Sequence, residues 1–161
     1  MIEGDAVVRE LDLPAPREAV FRMFVDPERL VTWIGLSAEL EPRPGGRFRF
    51  EVAPGQFCEG EYLEIDPPRR VVVSWGWTDP GMGLPPGSSV VEVELAEHGD
   101  GTRLRLVHRR LPADLRPLHD DGWSRFLARL EAVVAGRAPA PYPAGDPESR
   151  RAELARESER P

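Results

Sequence analysis

The sequence predicts an α+β domain: a curved antiparallel sheet of six to seven strands wrapped around one long C-terminal helix, with two short helices after the first strand. The prediction rests on segments that alternate apolar and polar residues, and on one late segment that repeats apolar residues every three or four positions. The 161 residues suit a single domain, and their composition, 40% hydrophobic and 30% charged, is typical of a globular protein.

The N-terminal part of the chain predicts one strand and two short helices. Ala6–Leu13 alternates in the manner of a strand, and Pro14 ends it. The first helix starts at Pro16 and the second at Asp26-Pro27, because proline is favoured in the first turn of a helix. The second helix ends at Gly35. The apolar residues of the two helices are Val20, Phe21, Phe24, Val25, Leu30, Trp33 and Ile34.

The middle of the chain predicts a series of antiparallel strands separated by turns that contain glycine or proline. A longer loop is predicted over Thr78–Gly87, which holds three prolines and three glycines. The predicted strands are Ser37–Glu41, Arg47–Val52, Gln56–Ile65, Arg70–Trp77, Ser89–Leu95 and Thr102–Arg109.

An amphipathic helix is predicted from Pro117 to Ala135, with Gly136 as its C-terminal cap. Gly122 is expected to let this helix approach the sheet closely. The spacing assigns one side of the helix to the core and the other to solvent: the core side holds Trp123, Phe126, Leu127 and Leu130, and the solvent side holds Arg125, Arg129 and Glu131.

We expect the chain to divide into a domain over residues 1–136 and a tail over residues 137–161. The tail begins with a proline- and alanine-rich linker that favours an extended conformation. Asp146-Pro147-Glu148 then favours a helix start, but Leu154 is the only large apolar residue that follows. The tail is therefore expected to be charged, weakly helical and dispensable for folding.

Charge and composition argue against several classes of function. The formal net charge is −7 and the pI is about 5.1, which disfavours nucleic-acid binding. All 21 basic residues are arginine, so the chain lacks a lysine for Schiff-base chemistry. No apolar run is long enough to span a bilayer, and Met1–Asp5 lacks the features of a signal peptide. The single cysteine, Cys58, indicates a reducing compartment, so we expect a cytoplasmic protein.

No metal, cofactor or catalytic residue is predicted. The three histidines, at 98, 108 and 119, lack the spacing of a metal-ligand set, and no Gly-x-Ser-x-Gly motif marks a nucleophile. His108 shares a strand face with Leu104 and Leu106, so it should face the core and need a polar partner there. It is either a hydrogen-bonded structural residue or a group that contacts a ligand or acts as a general acid or base.

Other polar and aromatic side chains are candidates for a binding pocket. Glu59 and Glu61 lie either at the mouth of a pocket, beside His108 or Arg49, or in solvent beyond a bulge at Gly60. Tryptophan lines apolar cavities as well as cores, and Trp77 is placed best for a pocket rim. The candidate ligand-binding residues are Trp33, Phe48, Phe50, Glu59, Trp75, Trp77, His108, Arg110, Trp123 and Leu127.

Several segments resemble START-like (SRPBCC) proteins with the helix-grip fold. The similar segments are Val7–Leu13, Pro16–Phe21, Asp26–Trp33, Gly45–Phe50, Gly60–Arg70, Val73–Trp75 and His119-x-x-Gly122-Trp123. They are most similar to the bacterial branch that resembles the C-terminal domain of the activator of the Hsp90 ATPase. The resemblance covers nearly all of residues 1–136 and none of the tail, and it implies no universal catalytic residue.

The residues and the resemblance together favour the binding of a small apolar or aromatic molecule between the sheet and the C-terminal helix, without catalysis. Two alternatives stay open, because one fold can host several functions. The first is a cyclase- or aromatase-like enzyme that uses the same cavity, and the second is a chaperone-type protein-interaction domain. A homodimer is also open.

Overall fold

The computed structural model describes residues 1–144, 152–153 and 155–157, and within them it shows an antiparallel sheet of eight strands. The strands are β1 (Ile2–Glu3), β2 (Ala6–Leu13), β3 (Ser37–Leu40), β4 (Arg47–Ala53), β5 (Gln56–Asp66), β6 (Arg70–Trp75), β7 (Ser89–His98) and β8 (Gly101–Arg109). Their order across the sheet is β1-β2-β8-β7-β6-β5-β4-β3. The predicted α+β class is confirmed, and the strand beyond the predicted set is the two-residue β1, which is too short to show alternation.

The helices are α1 (Arg17–Val25), α2 (Pro27–Leu30) and α3 (Arg116–Val134), and one-turn 3-10 helices lie at Pro80–Met82 and Ala113–Leu115. They cover one face of the sheet and form a single core with it. Phe48 and Phe50 point into this core from β4, as the alternation predicts, and Leu104 and Leu106 do so from β8. The segment Thr78–Gly87 after β6 forms a loop, as predicted, and this loop contains the first 3-10 turn.

Helix α2 is shorter than predicted, because it ends at Leu30 instead of Gly35. The β-branched residues Val31 and Thr32 follow at once, and such residues are poor helix formers. Trp33 and Ile34 lie in the turn after the helix and are still fully buried. This turn becomes one wall of the site described below.

Helix α3 matches its predicted bounds to within one residue, but one side chain was assigned to the wrong side. Trp123, Leu127 and Leu130 are buried, as expected, whereas Phe126 is only half-buried. Arg129, predicted to face solvent, is buried, and its Nε donates a hydrogen bond to the backbone oxygen of Trp33 at 3.0 Å. The turn after α2 covers this side of α3, and its carbonyl groups need donors.

Candidate functional site

A cavity of about 220 Å³ opens between the first half of α3 and the neighbouring ends of β4, β5 and β6. Cavities that hold drug-sized ligands measure about 300–1,000 Å³, and an engineered cavity of about 150 Å³ holds benzene. This cavity therefore suits a molecule of about one or two rings. Its lining is mostly apolar and consists of Ile34, Val52, Gln56, Phe57, Trp75, Trp77, Asp79, Met82, Leu118, His119, Gly122, Trp123 and Phe126.

Helix α3 supplies its wall through residues spaced by three or four positions. His119, Gly122, Trp123 and Phe126 fall on one side of the helix because of this spacing. A Cβ atom built on Gly122 would meet no atom within 4 Å. The glycine therefore does not serve the close helix–sheet approach that was predicted; it leaves open space beside the cavity instead.

Three tryptophans form the aromatic end of the cavity. The ring of Trp75, the last residue of β6, lies 5.1 Å from the ring of Trp123 and 5.5 Å from the ring of Trp77. The backbone of Trp77 bridges to Cys58 on β5, and its N–H donates to the backbone oxygen of Leu84 at 2.7 Å. Both contacts fix the wall at the point where the loop leaves the sheet.

His119 is held in a neutral form at the cavity wall. The indole Nε1 of Trp77 can only donate, so the Nε2 atom of His119, 3.1 Å away, is assigned as the acceptor. The Nδ1 atom then carries the proton and donates to the backbone oxygen of Leu115 at 2.8 Å. Burial lowers the pKa of His119, which agrees with a neutral ring.

His108 lies behind the tryptophans in a buried hydrogen-bond chain. Its Nδ1 accepts from the indole Nε1 of Trp123 at 3.0 Å, which leaves the proton on Nε2. Nε2 lies 2.8 Å from Oγ of Ser89, and this hydroxyl donates to the backbone oxygen of Trp75 at 2.7 Å. Burial, and then the nearby His119, lower the pKa of His108 well below its usual value. Both ring nitrogens are occupied, so the structural interpretation of this histidine is favoured.

Of the ten predicted binding residues, only the tryptophans at 75, 77 and 123 line this cavity. Trp33, Phe48 and Phe50 line a separate internal void of about 20 Å³, which has room for about one water molecule. Trp75 and Trp123 border both spaces. Leu127 belongs to the core and lines neither space.

Two predicted binding residues, Glu59 and Arg110, lie away from the cavity, which corrects their assignment. Glu59 is on the outer face of the sheet, where it pairs with Arg49 at 2.7 Å. Arg110 is exposed beyond the end of β8 and borders the same shallow outer groove as Glu59. Strand alternation explains the orientation of Glu59: the preceding residue, Cys58, is fully buried, so Glu59 points to the opposite face of the sheet.

Most residues of the cavity lining are not among the ten predicted binding residues. His119 and Phe126 could have been found by extending the spacing of Trp123 along α3. Ile34 and Met82 lie in turns, where no periodic signal marks a lining residue. Val52 lies within an irregularity in the pairing of β4 with β5, between Glu51 and Ala53, which alternation does not predict.

Tyr142, in the segment predicted to be a linker, packs against the outside of the cavity wall. Its hydroxyl donates to the backbone oxygen of Val52 at 2.7 Å and accepts from the backbone N–H of Gly35 at 3.0 Å. Its ring lies 5.8 Å from the ring of Phe126, and burial raises the pKa of the phenol to about 12. The start of the tail is thus docked on the domain, whereas the predicted helix start at 146–148 and Leu154 lie outside the described residues.

The described part of the chain holds neither a cluster of metal-ligating side chains nor a membrane-spanning helix. No three His, Cys, Asp or Glu side chains of that part lie together as metal ligands would. None of its helices is both long and apolar enough to cross a membrane.

A sheet that holds a long C-terminal helix over an apolar cavity defines a helix-grip protein of the START-like (SRPBCC) superfamily. The family model described as Activator of Hsp90 ATPase homolog 1-like protein matches residues 14–135, and the chain belongs to that family. No curated protein matches the sequence.

Solved structures support the same assignment. The AHSA1-like protein RHE_CH02687 from Rhizobium etli is 42% identical, with a TM-score of 0.69 over 89% of this chain and 92% of that one. CalU16 from Micromonospora echinospora is 27% identical, with a TM-score of 0.68 over 95% and 83% of the two chains. DynU16, a putative protein in the dynemicin biosynthetic locus, is 23% identical with a TM-score of 0.71, and shows the fold alone. The match covers 84% of this chain but only 49% of DynU16.

Proposed function

We propose that the protein binds a small apolar or aromatic molecule in the cavity between the sheet and α3. The observation that carries the proposal is the cavity of about 220 Å³ with walls of Trp75, Trp77 and Trp123. An apolar pocket with a few polar groups at its edge is the usual composition of a small-molecule site. The helix-grip family to which the chain belongs is a ligand-binding fold, which supports the same proposal.

The enzyme alternative has less support from the geometry. Catalysis by titratable groups would need two or three of them together in the cavity. The titratable residues among those that line it are His119 and Asp79. Because both ring nitrogens of His119 are already hydrogen-bonded, Asp79 is left by itself for proton transfer. The protein-interaction alternative rests on the family description alone.

We propose that the protein is located in the cytoplasm. Cys58 is a free thiol and fully buried, and burial raises its pKa well above the usual value. A buried, unpaired cysteine suits the reducing compartment that the single cysteine indicates.

The proposal is tested by titrating the protein with 1-naphthalenemethanol, a neutral two-ring probe, while the four indole N–H signals are followed by ¹⁵N–¹H NMR. We expect a dissociation constant of about 10 µM to 1 mM for a ligand of this size. The signals of Trp75, Trp77 and Trp123 should shift most. The indole of Trp33 is the internal control, because it donates to the backbone oxygen of Met23 in the core. The proposal would be overturned if the indole signals of the three cavity tryptophans showed no saturable shifts.

A further inference from the structure

The residues that line the cavity offer no positive charge to a ligand. Asp79 is the charged residue among them, all of which lie in the described part of the chain. The guanidinium of Arg49 lies 3.8 Å from the ring centre of Phe57, which is also a lining residue. Glu59 and Glu39 pair with that guanidinium at 2.7 and 3.5 Å, so its charge is already compensated.

The polar groups of Trp77 and His119 in the wall are already hydrogen-bonded. The indole N–H of Trp77 is used by His119, and the remaining N–H of His119 is used by the backbone of Leu115. The indole N–H of Trp75 is buried without a hydrogen-bond partner among the described residues, but a single neutral donor does not replace the water that a carboxylate loses on entering the cavity, which is costly for an ionised group. Gln56 at the exposed edge can donate, but an amide alone does not neutralise a charge.

The mouth of the cavity favours the opposite charge. Asp79 begins the 3-10 turn Pro80–Met82, and its Oδ1 accepts from the backbone N–H of Gly81 at 2.9 Å. This bond fixes the carboxylate at the edge of the cavity, two residues after Trp77. The faces of tryptophan rings attract cations, and the negative net charge of the protein, −7, also attracts them.

We infer that the cavity selects flat aromatic molecules that are neutral or carry a basic amine, and that it rejects aromatic and aliphatic carboxylates, with Asp79 as the residue that sets the preference for the amine. The inference rests on the proposed function, since it specifies the ligand of the same cavity. The amine lies at the mouth beside Asp79 and the rings lie among the tryptophans.

The test compares three probes with the same ring system and different charge: 1-naphthylmethylamine, 1-naphthalenemethanol and 1-naphthoic acid. Titration calorimetry at pH 7.5 and low salt measures the affinity of each for the full chain. We expect the amine to bind at least about tenfold more tightly than the acid, with the alcohol between them. Raising the salt to about 0.5 M should reduce the difference between amine and alcohol, because exposed charges are screened.

The variant Asp79→Asn removes the charge and keeps an oxygen that can accept from Gly81. We expect it to weaken the binding of the amine about threefold to fivefold, as is typical of an exposed ion pair, and to weaken the binding of the alcohol by a smaller factor. Asp100→Asn, in the exposed turn between β7 and β8, makes the same change in net charge away from the cavity and should alter neither affinity.

Each outcome separates the inference from the proposed function. If the alcohol binds at the cavity tryptophans but the acid binds within twofold of the amine, the inference is wrong and the proposed function stands. The inference is equally wrong if Asp100→Asn weakens the amine as much as Asp79→Asn does. If none of the three probes binds, the proposed function fails, and the inference falls with it.

Discussion

The substitution Gly122→Leu should abolish ligand binding without weakening the fold. Most changes that block a cavity also disturb the core, but a Cβ at Gly122 meets open space. A leucine in a helix directs its side chain over the preceding turn, which here carries the lining residues Leu118 and His119. The new side chain therefore enters the cavity.

The size of the effect follows from the cavity volume. A methyl-sized group fills roughly the volume of one water molecule, about 30 Å³, so the four carbons of leucine fill about 120 Å³. That is more than half of the cavity of about 220 Å³. Glycine inside a helix costs about 0.5–1 kcal/mol relative to a good helix former, and its replacement should raise the melting temperature by about 1–4 °C.

The assay pairs a thermal melt with the 1-naphthalenemethanol titration. Gly122→Ala is the graded variant, since it gains the same helix propensity and fills about one quarter as much space. Ser124→Ala is the matched control, because residue 124 is exposed on the same helix and does not line the cavity. Unchanged binding by Gly122→Leu would refute the location of the site, and a lower melting temperature would refute the open space beside Gly122.

Three further predictions concern the supports of the cavity. Tyr142→Phe leaves the N–H of Gly35 and the oxygen of Val52 without the phenol and should cost about 1–3 kcal/mol, which a chemical denaturation curve measures and an unchanged midpoint would contradict. Trp123→Phe leaves Nδ1 of His108 without its donor and should cost a similar 1–3 kcal/mol; a loss under 0.5 kcal/mol in the same assay would show that this bond contributes little. The lowered pKa of His108 makes the free energy of unfolding depend on pH. Below pH about 6.5 the histidine of the unfolded chain binds a proton that the folded protein does not bind, so the free energy of unfolding falls by up to about 1.4 kcal/mol per pH unit; above that pH this contribution is fully present. His108→Gln should make the plot of unfolding free energy against pH flatter between pH 6.5 and 5, and an equal slope in both proteins would contradict the assignment.

The fold could be predicted because its elements are locally encoded. The alternation around Phe48 and Phe50 and the helical spacing around Trp123 each follow from the geometry of one element. Burial of one sheet face against one helix then leaves little choice of architecture. The same reasoning placed His108 correctly in the core, because Leu104 and Leu106 share its strand face.

The position of the cavity could not be predicted in this way. It lies at one end of the core, where the turn with Ile34, the loop with Met82 and the first half of α3 meet. Whether a space there is open or filled depends on the tertiary placement of loops, which have no period. The burial of Arg129 and Tyr142 could not be predicted for the same reason. A charged residue on a helix and a tyrosine between prolines are both expected to be exposed, and only the tertiary structure shows the segments that cover them.

Tyr142 supports the cavity wall from beyond residue 135, where the match to the family model ends. The shape of the binding space therefore depends on a residue outside the matched segment as well as on the lining residues within it. Substitutions in the short segment that contains Tyr142 would alter the binding space and, through the two hydrogen bonds of Tyr142, the stability of the domain at the same time.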